Sequence, residues 1–164
     1  MEIYTLGTSN RTLKEFLEIL KEYKIDAVFD VRRWPTSKLF PHFNKENLEK
    51  FLKENGIDYF HIEKLGGYRE GGYENYIKTD DFKEGLKELI TISQFHNCEK
   101  VKFRNVAIIC AEKFPWKCHR ALISQELEKR NFKVIHIIEK NRIWKPKKEP
   151  KEIKLTCQKN KKRS

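Results

Sequence analysis

Val106-Ala107-Ile108-Ile109-Cys110, then Ala111-Glu112, then Cys118-His119-Arg120-Ala121-Leu122-Ile123-Ser124-Gln125-Glu126-Leu127, is the stretch that decides the fold. The first five residues form a short apolar run with the signature of a buried strand. The segment from Cys118 to Arg130 reads as a helix. A thiol, an imidazole and a guanidinium are therefore delivered together to a strand-to-helix crossover. In an open α/β sheet, ligands bind outside the carboxyl ends of the strands, beside helix N-termini. Chemistry or anion binding is expected at this triplet.

Working outward, the same alternation recurs. Ile3-Tyr4-Thr5-Leu6 reads as a first strand, broken at Gly7-Thr8-Ser9-Asn10-Arg11. Thr12 and Glu15 have capping-box spacing. Leu13, Phe16, Leu17 and Leu20 then follow the i, i+3, i+4, i+7 stripe of an amphipathic helix. Ala27 to Val31 is a second strand, and a loop runs on to Asn44. Lys45 to Asn55 is a helix with Leu48, Phe51 and Leu52 inward, stopped by Asn55-Gly56. Ile57 to Ile62 is a third strand. A glycine- and tyrosine-rich segment to about Lys78 is too long for a simple connection, which predicts a functional loop. Asp80 or Asp81 caps a helix bearing Phe82, Leu86, Leu89 and Ile90, and Phe132 to Ile138 is a fifth strand. Strands alternating with helices predict a single α/β domain. Its sheet is mostly parallel and five-stranded, flanked by helices in a Rossmann-like or flavodoxin-like arrangement. The domain is expected over residues 1–144, with a basic, flexible tail over 145–164.

Composition bounds the function. The chain has 164 residues and a formal charge of +11. From Lys145 to Ser164 there are eight Lys and one Arg against two Glu, a net of +7, which leaves +4 for the rest. A mobile basic arm on a mildly basic body suits a polyanion, and nucleic acid, DNA in particular, is the expected partner. A Lys/Glu-rich protein of thermophilic type would carry such a terminus for solubility alone. No apolar run reaches the roughly 18 residues of a membrane helix, and the start lacks the pattern of a signal peptide. A cytoplasmic protein with no membrane contact is expected. The four cysteines, at 98, 110, 118 and 157, have no zinc-knuckle spacing. Free thiols are expected in a reducing compartment.

The polar residues gather at four strand ends. Ser9, Asn10 and Arg11 make a plausible phosphate cradle before a helix N-terminus, although Ser and Asn are also ordinary turn residues. Arg11 has the least structural reason to be there. Asp30 interrupts an apolar strand near its end, beside Arg32 and Arg33. Such a carboxylate can act as general base or stabilise a developing cation, and the arginines can bind phosphate. A purely structural Asp–Arg pair holding the loop is the alternative. His42 and Phe43 on one loop, and Gly66, Gly67 and Tyr68 on another, allow close backbone approach and base stacking.

At the fourth strand end stand Cys110, Glu112, Cys118, His119 and Arg120. A thiol at a helix start beside Arg has its thiolate favoured. Neither Cys110 nor Cys118 has an arginine six residues on, so the Cys-x5-Arg phosphate loop is absent. No strong metal-ligand pairing is present either. No metal and no cofactor is expected, and Arg120, or His119, is favoured over the Cys118 sulfur for substrate contact.

Six ordered motifs carry a resemblance. They are Ile3-Tyr4-Thr5-Leu6-Gly7-x-Ser9-Asn10-Arg11, Asp30-Val31-Arg32-x-x-Pro35, Pro41-His42-Phe43-Asn44, Leu65-Gly66-Gly67, Cys110-Ala111-Glu112-Lys113 and Cys118-His119-Arg120. Together, over about residues 2 to 140, they resemble the domain of unknown function 488 family, with Thr8 where that family often has His. The resemblance implies a compact α/β domain with a small-molecule or nucleic-acid site of enzymatic character.

These readings lead to an expected enzyme of nucleic-acid metabolism acting on a phosphate-bearing substrate. Its concrete form is a hydrolase, a DNA base-excision N-glycosylase in DNA repair. Asp30 or Glu112 would activate water or stabilise an oxocarbenium-like centre. Arg11, Arg32 and Arg120 would hold phosphates, and Tyr68 or Phe43 would stack on an extruded base. The alternatives are a cysteine-dependent enzyme using Cys118 and a non-catalytic nucleic-acid-binding module.

Overall fold

The structure is a computed structural model that describes residues 2–94 and 103–146. The basic tail, apart from Lys145 and Pro146, lies outside the described residues, as do Cys98 and Cys157. Six strands form one sheet: β1 (Glu2–Gly7), β2 (Ala27–Asp30), β3 (Asp58–His61), β4 (Val106–Cys110), β5 (Lys133–Glu139) and β6 (Arg142–Trp144). The helices are α1 (Leu13–Glu22), α2 (Lys45–Glu54), α3 (Tyr73–Tyr76), α4 (Asp80–Gln94) and α5 (Arg120–Glu128). The sheet order is β3-β2-β4-β1-β5-β6. The first five strands run parallel, as the alternation of strand and helix requires.

The sixth strand corrects the expected count of five. β6 turns back on β5 as an antiparallel edge, with His136 opposite Trp144. At three residues, one of them charged, it carries too little alternation to be recognised from the chain alone.

The core lies on both faces of the sheet. Phe16, Ile19 and Leu20 of α1 and Leu48 and Leu52 of α2 bury against Leu6, Val28, Ala107 and Ile109. On the other face, Phe82, Leu86 and Leu89 of α4 and Leu122, Ile123 and Leu127 of α5 bury against Ile3, Phe29 and Ile108. Strands covered on both faces read as continuous apolar runs, which is why β2 and β4 are legible. The capping box at α1 is formed: Thr12 Oγ1 accepts from the Glu15 N–H at 3.1 Å, and the Thr12 N–H donates to Glu15 at 3.2 Å. At α4 the cap is Thr79, whose hydroxyl accepts from the Phe82 N–H at 3.3 Å, not Asp80 or Asp81.

The glycine- and tyrosine-rich segment is more ordered than a long loop. It contains a 3-10 turn at Glu63–Leu65 and the single turn α3. The hydroxyls of Tyr73 and Tyr76 donate to the Leu65 and Lys64 carbonyls at 2.7 and 2.6 Å. These two rings therefore pack the segment down, and only Tyr68 among its tyrosines is half exposed.

Candidate functional site

The topology fixes where a ligand can enter. β1 and β2 send their chains to α1 and α2 on one face. β4, hydrogen-bonded between β1 and β2, sends its chain to α5 on the other. Diverging connections from adjacent strands open a crevice at their carboxyl ends. Gly7, Cys110 and Asp30 stand at that level, since Gly7 pairs with Cys110 and Asp30 with Ile109. Beyond the strands, the Thr8 N–H donates to the Cys110 carbonyl at 2.8 Å and the Ser9 N–H to the Ala111 carbonyl at 2.9 Å. This close approach needs Gly7: a Cβ there would lie 2.0 Å from the Glu112 carbonyl oxygen.

Four of the charged residues expected at the site are buried and engaged by the protein itself. Asp30 is fully buried. One carboxylate oxygen accepts from Arg32 Nε at 2.9 Å, and the other from Arg32 NH2 and the Tyr59 hydroxyl, both at 2.6 Å. The Arg32 backbone N–H adds a fourth donor at 3.1 Å. Burial opposes the charge on Arg32, but the Asp30 carboxylate outweighs it and raises the Arg32 pKa. Burial and the same carboxylate raise the pKa of the Tyr59 hydroxyl. Arg32 also donates to the Phe43 carbonyl at 2.8 Å and so ties down the loop that follows β2. The Asp–Arg pair is thus the loop-holding pair, and Asp30 is not on the cleft wall.

Arg11 and Arg120 act in the same way, on backbone. Arg11 donates to the Gly7 carbonyl at 3.0 Å and to the Ile138 carbonyl at 2.5 Å, bridging the ends of β1 and β5. Arg120 is completely buried. It donates to Cys110 Sγ at 2.6 Å, to the Glu112 carbonyl, and to the Lys113 carbonyl at 2.9 Å. Burial lowers its pKa, and the Cys110 and Cys118 sulfurs reverse the sign. Neither guanidinium lines the crevice. Both guanidiniums, expected to hold phosphates, are found fixing backbone at the strand ends. His42, likewise, donates from Nε2 to the Arg11 carbonyl at 2.7 Å, and Gly66 packs its Cα against Arg33, where a Cβ would meet Arg33 Cα at 2.5 Å.

The crevice is an open cleft of about 940 Å³. It brings together Ser9 and Asn10 after β1, Arg32, Arg33 and Phe43 after β2, and Gly67 and Tyr68 after β3. Glu112, Cys118 and His119 line it from the β4–α5 connection. Trp34 and Tyr68 are stacked on its rim, centroids 5.9 Å apart with planes inclined 29°, and are 61% and 50% exposed. The Arg33 guanidinium lies 4.8 Å over the Trp34 ring and donates to the Tyr68 carbonyl at 2.6 Å. Lys113 and Lys117 add positive charge, and among the described residues Glu112 is the one acidic residue on the wall. The Glu112 carboxylate accepts from the Phe114 N–H at 3.3 Å, leaving further acceptor capacity.

Sequence reasoning did not single out Lys113, Lys117, Thr36 or Ser37, which also line the cleft. The two lysines bracket Phe114-Pro115-Trp116 between strand and helix, and that placement was the available signal. Tyr59 was also missed, although a buried carboxylate on β2 calls for a donor from the neighbouring strand. Among the described residues, no group of three or more His, Cys, Asp or Glu side chains is arranged to hold a metal ion. Among the same residues, no helix is long and apolar enough to cross a membrane.

A family model described as Domain of unknown function DUF488 matches residues 12–127. No curated protein and no solved structure matches the chain.

Proposed function

The chain belongs to the DUF488 family, and from that premise we propose that it is a hydrolase of nucleic-acid metabolism that excises a base from DNA. The observation that carries this reading is the exposed Trp34–Tyr68 stack on the rim of a cleft with a single acidic wall residue, Glu112. Two large rings left in water are costly unless a planar partner covers them, and a nucleobase is such a partner. Arg33, Lys113 and Lys117 supply the phosphate contacts. Ser9 and Asn10 offer short polar groups at the opposite loop.

In this mechanism the target nucleotide leaves the duplex and its base enters the cleft. The glycosidic bond breaks with its electron pair going to the departing base. Glu112 stabilises the positive charge on the sugar, takes a proton from the water that bonds to C1′, and is returned to its carboxylate as that proton passes to the departing base. The role moves from Asp30 to Glu112 because Asp30 has no free oxygen facing the cleft. Asp30 contributes by holding Arg32 and hence the loop that carries Trp34.

The test is incubation with duplexes bearing uracil, mismatched thymine or an oxidised purine, followed by alkaline cleavage. Scission at one of these lesions, lost in Glu112→Gln, is expected. Retention of duplex at low salt without scission would leave a non-catalytic binding module. Neither scission nor retention would remove the nucleic-acid reading altogether.

A further inference from the structure

Cys110 ends β4 and Cys118 precedes α5, and both side chains line the cleft floor while being almost wholly withdrawn from bulk water. Neither is in a disulfide. The two side chains are near neighbours on the cleft wall, and the Cys118 side chain bears on Cys110, helping to push its pKa up. Each has a further partner suited to a different task.

Cys118 Sγ lies 3.5 Å from His119 Nδ1. The other ring nitrogen, Nε2, lies 2.8 Å from the Val31 carbonyl. A carbonyl only accepts, so Nε2 carries the proton and Nδ1 presents its lone pair to the thiol. The Tyr73 ring packs on the imidazole at 5.1 Å and limits its rotation. A nucleophile, a base and a group orienting the base are thus present in sequence along one hydrogen-bonded line. Cys110 Sγ instead accepts from the buried Arg120 guanidinium at 2.6 Å. Burial pushes the Cys110 thiol up and Arg120 opposes this, so Cys110 rests as a thiol with a cation ready for its thiolate.

We propose that Cys110 and Cys118 form a redox-active dithiol that exchanges with low-molecular-weight disulfides reaching it through the cleft. Cys118 gives its proton to His119 Nδ1, and its thiolate attacks one sulfur of the incoming disulfide. That S–S bond breaks, and its electron pair leaves with the second sulfur, which takes up a proton. Cys110 then loses its proton and attacks the Cys118 sulfur of the mixed disulfide. The remaining small thiolate departs and is protonated. Two protein thiols are oxidised to one disulfide while one small disulfide is reduced to two thiols. Closing the pair brings the two neighbouring sulfurs to the roughly 2.05 Å of a bonded pair. This chemistry is independent of the base-excision reading and is tested without DNA.

The experiment treats the full chain with glutathione disulfide, blocks remaining thiols, and maps peptides by mass spectrometry. The expected product is a peptide pair linked through Cys110 and Cys118. Cys110→Ser is expected to trap a glutathione adduct on Cys118, and Cys118→Ser to leave Cys110 unmodified. His119→Gln should slow formation of the trapped adduct about tenfold, the loss of a neighbouring base. Both cysteines recovered as free thiols in the folded chain, while the urea-unfolded chain reacts, would overturn the proposal. So would an adduct that forms first on Cys110.

Discussion

Asp30, Arg11, Arg32 and Arg120 stand at the same sheet edge as Arg33, Glu112, Lys113 and Lys117, but the two groups are built differently. The first four are 0–8% exposed, and all their buried polar atoms but Arg120 Nε are engaged, by one another, Tyr59, the Cys110 sulfur and backbone groups. The second four lie on an open wall and make their contacts near the surface, Arg33 to the Tyr68 carbonyl, Glu112 to the Phe114 N–H and Lys113 to Glu139 at 2.7 Å. A charge at a strand end is therefore not by itself a functional charge. What separates the two groups is whether the chain has already supplied the partners.

The contrast is sharpest at Asp30. Asp30→Ala leaves a buried Arg32 without its carboxylate, and a loss of about 3–5 kcal/mol of folding stability is expected in urea unfolding. A change below about 1 kcal/mol would mean that the pair is not what holds the loop. Glu112→Gln should do the reverse. Stability should stay within about 0.5 kcal/mol of the parent, while base excision falls at least about a hundredfold. Equal loss of stability in both variants would erase the distinction between the two groups.

A third buried group extends the comparison to pH. His136 Nδ1 is hydrogen-bonded with the Thr5 hydroxyl, 2.6 Å away, and burial, aided by Arg120, lowers its pKa to about 3. It is neutral in the folded chain, whereas the unfolded chain takes up a proton below its ordinary pKa of about 6.5. Its contribution is therefore complete above that pH and is lost as the pH falls towards 3. Between pH 6.5 and 5 the parent should lose about 1–2 kcal/mol on this account. His136→Gln should show a shallower decline over the same interval, and an identical slope would count against the burial argument. The smallest single effect is expected at the rim. Trp34→Ala should weaken oligonucleotide binding by about 1–2 kcal/mol in a fluorescence titration, with stability nearly unchanged.

The same division explains what was legible in the chain. β2 and β4 announce themselves as apolar runs, and α1 by its capping box and stripe, because those signals are local. The edge strand β6 has three residues and one buried neighbour, so it has no comparable signal. The site was legible as a set of residues at strand ends, since loop position follows from the alternation of elements. The direction of each side chain was not. Arg120 and Arg33 are both arginines beside a crevice, and only the approach of the 111–113 backbone to β1 turns Arg120 inward. Gly7 permits that approach, but in the sequence it is legible only as the break at the end of the first strand. The Asp30–Arg32 pair was foreseen as a structural alternative because a carboxylate inside a strand demands a partner.

The central claim is that nucleic acid meets the exposed charges of the cleft and not the buried ones. It is tested most directly by the salt dependence of duplex binding, compared between the parent chain and Arg33→Gln/Lys113→Gln/Lys117→Gln. If these three side chains contact phosphates, the slope of log affinity against log salt should fall by about 2–3 in the triple variant. Folding stability should fall only slightly, since the contacts removed are exposed ones: the Lys113–Glu139 ion pair and the Arg33 contacts with Trp34 and the Tyr68 carbonyl. A slope unchanged from the parent would contradict the claim.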